Sequence, residues 1–130
     1  MKNALAHLPE LDNGLMFINL VDFDTLWGHR NDSHGFVQAM ADFDAALPSL
    51  TAQLRPGDLL LITGDHGNDP TDVSTDHTRE YVPLVAWTPG GSGAPIGDRA
   101  SFADVSATIA EAFGVTGTGH GESFLAALRG

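Results

Sequence analysis

Gly14-Leu15-Met16-Phe17-Ile18-Asn19-Leu20-Val21 is an almost unbroken apolar run. A run of this length predicts a β-strand covered on both faces. It ends in Asp22-Phe23-Asp24, and a helix is expected after it. Phe36, Met40, Phe43, Leu47, Leu50 and Leu54 then step alternately by four and three, the spacing of one helical stripe. Pro48 falls inside that stripe, so a kink or two helical pieces are expected there.

Arg55-Pro56-Gly57-Asp58 reads as a turn into a second buried strand, residues 59–63, which runs on into Gly64-Asp65-His66-Gly67. A polar loop over residues 68–80 leads to a third strand, 82–87, with Pro83 tolerated near its start. Residues 89–95 read as a flexible surface loop. Ser101, with Asp104 three positions on, resembles a capping box. Phe102, Val105, Ile109 and Phe113 form the buried stripe of the helix it opens, and Gly114 should end it. Residues 121–128 predict a short final helix. Strands alternating with helices imply an α/β fold with a mainly parallel sheet flanked by helices. Ligands of such sheets gather beyond the carboxyl ends of the strands, where Asp24 and Asp65 are expected.

Length and charge narrow this picture. At 130 residues the chain is expected to form one domain. Seventeen acidic against six basic side chains give a net charge of −11, which argues against nucleic acid as a partner. Divalent cations would offset part of that charge if several carboxylates converge. With no cysteine, thiolate metal sites, disulfides and cysteine nucleophiles are excluded. Neither a signal-peptide core nor an apolar run of membrane-spanning length is present, so a soluble, cytoplasmic protein is expected.

Candidate ligands collect in three stretches: Asp22 to His29, Asp65-His66-Gly67, and Asp76-His77-Thr78-Arg79-Glu80. Carboxylate oxygens and imidazole nitrogens together suit Mn, Zn or Fe. Neighbours on an extended strand face opposite ways, so Asp65 and His66 can both bind metal only at a turn. Gly64 and Gly67 would permit one. A lone Asp or His is more often solvated or a cap than a ligand. Three clusters, two at the ends of predicted buried strands, point to a metal site.

Asn19 to Asp32, reading Asn-Leu-Val-Asp-Phe-Asp-Thr-Leu-Trp-Gly-His-Arg-Asn-Asp, resembles the corresponding stretch of phosphopentomutases. These enzymes belong to the alkaline phosphatase superfamily of metal-dependent phosphatases, sulfatases and mutases. Thr63-Gly64-Asp65-His66-Gly67-Asn68-Asp69-Pro70-Thr71, then Thr75 to Glu80, matches a second block, and Gly121-Glu122-Ser123-Phe124-Leu125 is similar to the family's C-terminus. The resemblance implies one metal ion held by Asp24, His29 and His77, and a second held in part by Asp65 and His66, both Mn²⁺. Asp22, two residues before Asp24 on an extended strand, would face the same side and support the ligands. Arg79 would orient a carboxylate or meet a phosphate. His7, His34 and His120 match no ligand and are expected at the surface. The implied reaction interconverts ribose 1-phosphate and ribose 5-phosphate, or their deoxy analogues, through a phosphothreonine.

The same resemblance implies missing parts. The family's nucleophilic threonine and first metal-binding aspartate lie in an N-terminal segment, and its cap domain is inserted before the region matched here. Thr25, Thr63, Thr75 and Thr78 do not match the nucleophile's motif, so no catalytic residue is expected in this chain. Residues 1–130 are therefore expected to be a single partial domain, the C-terminal part of the core, inactive alone. The N-terminal and cap segments would be its partners and a phosphorylated pentose its substrate. Competing expectations are a part of another superfamily phosphatase or phosphoglycerate mutase, and a non-catalytic metal-binding module.

Overall fold

The apolar stripe beginning at Phe36 forms a single helix in the computed structural model, which describes residues 1–129. In chain order the elements are α1 (Lys2–His7), a 3₁₀ turn (Leu8–Glu10), a wide helical turn (Phe23–Trp27), a second 3₁₀ turn (Gly28–Arg30), α2 (Ser33–Thr51), β1 (Leu60–Thr63), β2 (Leu84–Trp87), α3 (Ala103–Phe113) and α4 (Leu125–Arg129). Asp32 caps α2, its carboxylate accepting from the Gly35 amide at 2.9 Å. Pro48 does not divide α2, which runs through it as one helix. It stands in the last turn, where a missing N–H costs only one bond, and the Thr51 hydroxyl donates to the Leu47 carbonyl at 3.1 Å. Leu54 lies beyond the helix end. Helix α1, which buries Ala4, was not legible in the apolar pattern.

The chain divides into two compact units, Met1–Leu54 with Ile62–Leu84, and Arg55–Leu61 with Val85–Gly130. β1 and β2 pair as a two-stranded sheet. The expected first strand is a correction. Residues 15–20 belong to no strand of the described structure, and the turn at Asp22 follows them directly. Leu15 and Phe17 are 62% and 85% exposed. A strand exists only through the ladder it joins, and apolar sequence registers the demand for cover without supplying a partner. The expected mainly parallel sheet is therefore not seen: the sheet among the described residues has two strands. No helix among them is long and apolar enough to cross a membrane.

In the second unit, α3 ends where expected. Gly114 takes a left-handed conformation (φ 63°) and its amide bonds back to the Ala110 and Glu111 carbonyls. The capping box does not form. The Ser101 hydroxyl accepts from the Ala103 amide at 3.0 Å, but Asp104 turns inward. Its carboxylate accepts from Arg99 Nε at 2.7 Å and from the Glu122 amide at 2.9 Å. Four residues on, the fully buried Thr108 hydroxyl donates to the Asp104 carbonyl at 2.7 Å and accepts from the Phe124 amide at 3.1 Å. These bonds clasp the segment 122–124 against α3 and bury Phe124, Leu125 and Leu128. The loop read as flexible is tied down as well. Ser92 donates from its hydroxyl to the Ala127 carbonyl (2.7 Å) and from its amide to the Leu128 carbonyl (3.2 Å), satisfying orphan acceptors of α4.

The bond from the Glu122 amide, with the Arg99 guanidinium beside it, holds the Asp104 carboxyl below the usual carboxylate range. A depressed folded-state value means that the unfolded chain binds the extra proton first. The clasp's contribution is therefore complete above the ordinary carboxylate range and lost as pH falls through the lower folded value. Urea unfolding of this unit should weaken with acid over that window, and Asp104→Asn should flatten the dependence. An equally steep acid loss in the variant would refute the assignment.

Candidate metal centre

Two polypeptide stretches of the first unit build the centre. After residues 14–21 the backbone coils at once, so Asp24 sits inside the turn Phe23–Trp27 rather than at a strand end. Asp22, at the start of that turn, therefore does not share Asp24's side: residues two apart in a helical turn point nearly oppositely. It is exposed and borders a shallow hollow with Phe23, Trp27 and Phe43. Asn31 then adopts the left-handed conformation (φ 51°), which a short polar side chain tolerates, and its amide donates to the Asp72 carbonyl at 3.1 Å.

The second stretch, residues 64–80, is pinched by an antiparallel bridge between Gly67 and Thr78, with the Thr78 amide donating to the Gly67 carbonyl at 3.0 Å. The glycines act by absence of bulk, not by unusual φ. A Cβ on Gly67 would lie 2.7 Å from the Thr78 carbonyl oxygen, and one on Gly64 would lie 3.2 Å from Val82. Neither glycine has positive φ. Close approach at the bridge lays His66 flat on His77, ring centroids 3.6 Å apart and planes 21° from parallel. Nearby, the Thr71 hydroxyl and amide donate to Asp69 Oδ1 (2.6 and 2.8 Å) and hold that carboxyl below its usual range.

Asp24 Oδ1 is the common point. His29 Nε2 lies 3.3 Å from it, His77 Nε2 3.4 Å, and the two nitrogens are 3.2 Å apart. His66 Nε2 stands farther out, 3.9 Å from the same oxygen and 3.6 Å from Asp65 Oδ1. Asp65 itself is 83% exposed in its side chain. Arg79 is exposed. Thus Asp24, His29 and His77 come together, His66 flanks them with Asp65 beside it, and Asp22 and Arg79 stand apart.

The donor set fits a divalent transition ion. His29 Nδ1 bonds to the Thr75 carbonyl and His66 Nδ1 to the Gly67 carbonyl at 3.2 Å. A carbonyl only accepts, so each Nδ1 donates and Nε2 is the ring nitrogen left to face an ion. Two imidazole nitrogens and a carboxylate oxygen facing one another within 3.2–3.4 Å are drawn together by a cation or proton among them. An ion bound tetrahedrally at about 2.0–2.1 Å spaces its ligand atoms about 3.3–3.4 Å apart, matching this triangle and leaving a fourth position open.

Two contributors escaped sequence reasoning. Asn68 donates to Asp24 Oδ1 at 3.1 Å, and the Thr75 carbonyl orients His29. A glycine immediately before a candidate ligand, Gly28 before His29, was the available signal of close packing there.

Nearly the whole chain is similar to known proteins. The chain is 54% identical over 126 residues to a phosphopentomutase of Anaeromyxobacter sp. (strain K), covering 97% of this chain and 32% of the relative. It is 54% identical over 123 residues to one from Symbiobacterium thermophilum (94% and 31%), and 50% identical over 129 residues to one from Dictyoglomus thermophilum (98% and 33%). The chain thus spans about a third of the length of the curated relatives it matches. Residues 1–117 match the metalloenzyme superfamily, and the chain belongs to that superfamily.

Proposed function

We propose that this chain is the metal-binding C-terminal part of a phosphopentomutase that interconverts (deoxy)ribose 1-phosphate and (deoxy)ribose 5-phosphate in the cytoplasm. The convergence of Asp24, His29 and His77 within 3.2–3.4 Å carries the reading, supported by the similarity to phosphopentomutases over nearly the whole chain. In this reading those three residues hold one ion, and Asp65 and His66 supply part of the shell of a second, both Mn²⁺. Bound divalent ions would polarise phosphoryl oxygens and offset the charge of the transferring group.

The roles of this chain's own side chains follow from their placement. His29, held through Nδ1 by the Thr75 carbonyl, presents Nε2 to the ion. Asp24 supplies the negative charge at the centre of the three imidazoles. Arg79, exposed on the loop that carries His77, is assigned to a substrate phosphate. The phosphorylated threonine, the remaining ligands, the cap and the other strands of the parallel sheet are assigned to segments outside this chain, which on this reading has no turnover alone.

A chimera tests it. Residues 4–128 of this chain replace the matching third of the Anaeromyxobacter sp. relative, and the product is assayed on ribose 1-phosphate and on 3-phosphoglycerate. Mn²⁺-dependent formation of ribose 5-phosphate is expected, with none of the second reaction. A folded, metal-loaded chimera without pentose activity, or acting on 3-phosphoglycerate, would exclude the proposal.

A further inference from the structure

We propose that Asn68 is a positioning residue for the ion site, locking Asp24 as a single-oxygen ligand, and that Gly28 exists to seat it. The inference rests on reading Asp24, His29 and His77 as an ion site. Asn68 Nδ2 donates to Asp24 Oδ1 across 44 residues of sequence at 3.1 Å. That oxygen is the one nearest to His29 Nε2 and His77 Nε2, so the bond selects which carboxylate oxygen meets the ion. With Oδ1 held, Asp24 cannot swing to present both oxygens, and the site keeps a low coordination number.

The backbone on both sides of the amide is held in place. Gly67, the preceding residue, is fixed by the bridge to Thr78, and the following amide, Asp69, donates to the Thr78 hydroxyl at 2.8 Å. The side chain then lies across the buried Gly28. A Cβ placed there would be 2.3 Å from Asn68 Nδ2, 2.7 Å from its Cγ and 2.9 Å from its Oδ1. Any side chain at position 28 must therefore expel the amide from its place beside Asp24. Gly28 directly precedes His29, so one tight contact joins the three: the amide, its seat and the adjoining ligand.

Co²⁺ titration of the 130-residue chain tests this, because its visible bands report coordination number independently of any turnover. In Asn68→Ala, affinity should fall about 10–100-fold, the range for residues that orient a metal ligand. Its bands should also weaken as Asp24 turns its second oxygen to the ion and the coordination number rises. Gly28→Ala, which retains every polar group, should give the same spectral change. The double variant should lose no more affinity than Asn68→Ala alone, since the seat has no purpose without its occupant. Asn68→Ala binding with wild-type affinity and spectrum would overturn the proposal, as would losses that multiply in the double variant. If the unmodified chain fails to bind Co²⁺, the ion site falls, and this inference with it. If Asp24→Ala abolishes binding while Asn68→Ala is silent, the ion site stands and only the role of Asn68 is lost.

Discussion

Asp24→Ala should lower the affinity of this chain for Mn²⁺ more than about 100-fold, beyond the range typical of residues that merely orient a ligand. The reason is geometric. Asp24 Oδ1 is the shared neighbour of His29 and His77 at 3.3 and 3.4 Å, with His66 at 3.9 Å. On the proposed assignment, removing it deletes one ligand and the only carboxylate charge of the triangle, leaving two imidazole nitrogens without an anion to balance a dication. Asp24→Asn keeps the shape and loses the charge, so its affinity should fall between wild type and alanine. Asp65→Ala should cost the first ion little, because Asp65 is largely solvated and reaches His66 rather than the triangle. Calorimetric titration separates these cases. Equal affinities for wild type and Asp24→Ala, or a larger loss in Asp65→Ala, would overturn the ligand assignment.

Phe124→Ala should destabilise the second unit by about 3–5 kcal/mol, the cost of emptying a buried aromatic site. Phe124 is 4% exposed, its amide is held by Thr108, and the Arg99 guanidinium carbon lies 5.6 Å from its ring centroid. The unit's buried apolar side chains, among the described residues, are Phe124, Leu125 and Leu128, so no large neighbouring core absorbs the void. Because a domain's whole stability is only about 5–15 kcal/mol, such a loss should appear as a fall in the urea midpoint or as no cooperative transition. Phe124→Leu, which refills most of the volume, should cost much less. A loss in Phe124→Ala smaller than about 1 kcal/mol would show that the clasp of 122–124 on α3 does not hold this unit together.

Much of this was legible from local pattern, and the failures share a cause. Helix α3 and its stop at Gly114 need only a 3.6-residue period and a residue at ease with positive φ, both local properties. Its buried face was misread: Phe102 and Phe113 of the expected stripe are 54% and 43% exposed, and Asp104 and Thr108 are buried. The Asp and His clusters were legible for a related reason: chemistry confined to few residue types stands out at any distance. Asp104 was misread because a capping box is a rule of three residues, whereas its partners, Arg99 and the Glu122 amide, depend on how a remote segment returns. Asp22 was misplaced because two-residue spacing means the same face only on a strand, and the chain was already coiling there. The Thr75 carbonyl was invisible in principle, since every residue carries one.

The exposed run Gly14–Val21 leads straight into the turn that holds Asp24. A strand pairing along this run would cover Leu15 and Phe17 and hold the segment that precedes the turn. If that pairing also steadies Asp24, association and ion binding become two readings of one equilibrium. Reciprocity then requires that metal tighten the added strand's binding by the factor by which the strand tightens the metal's.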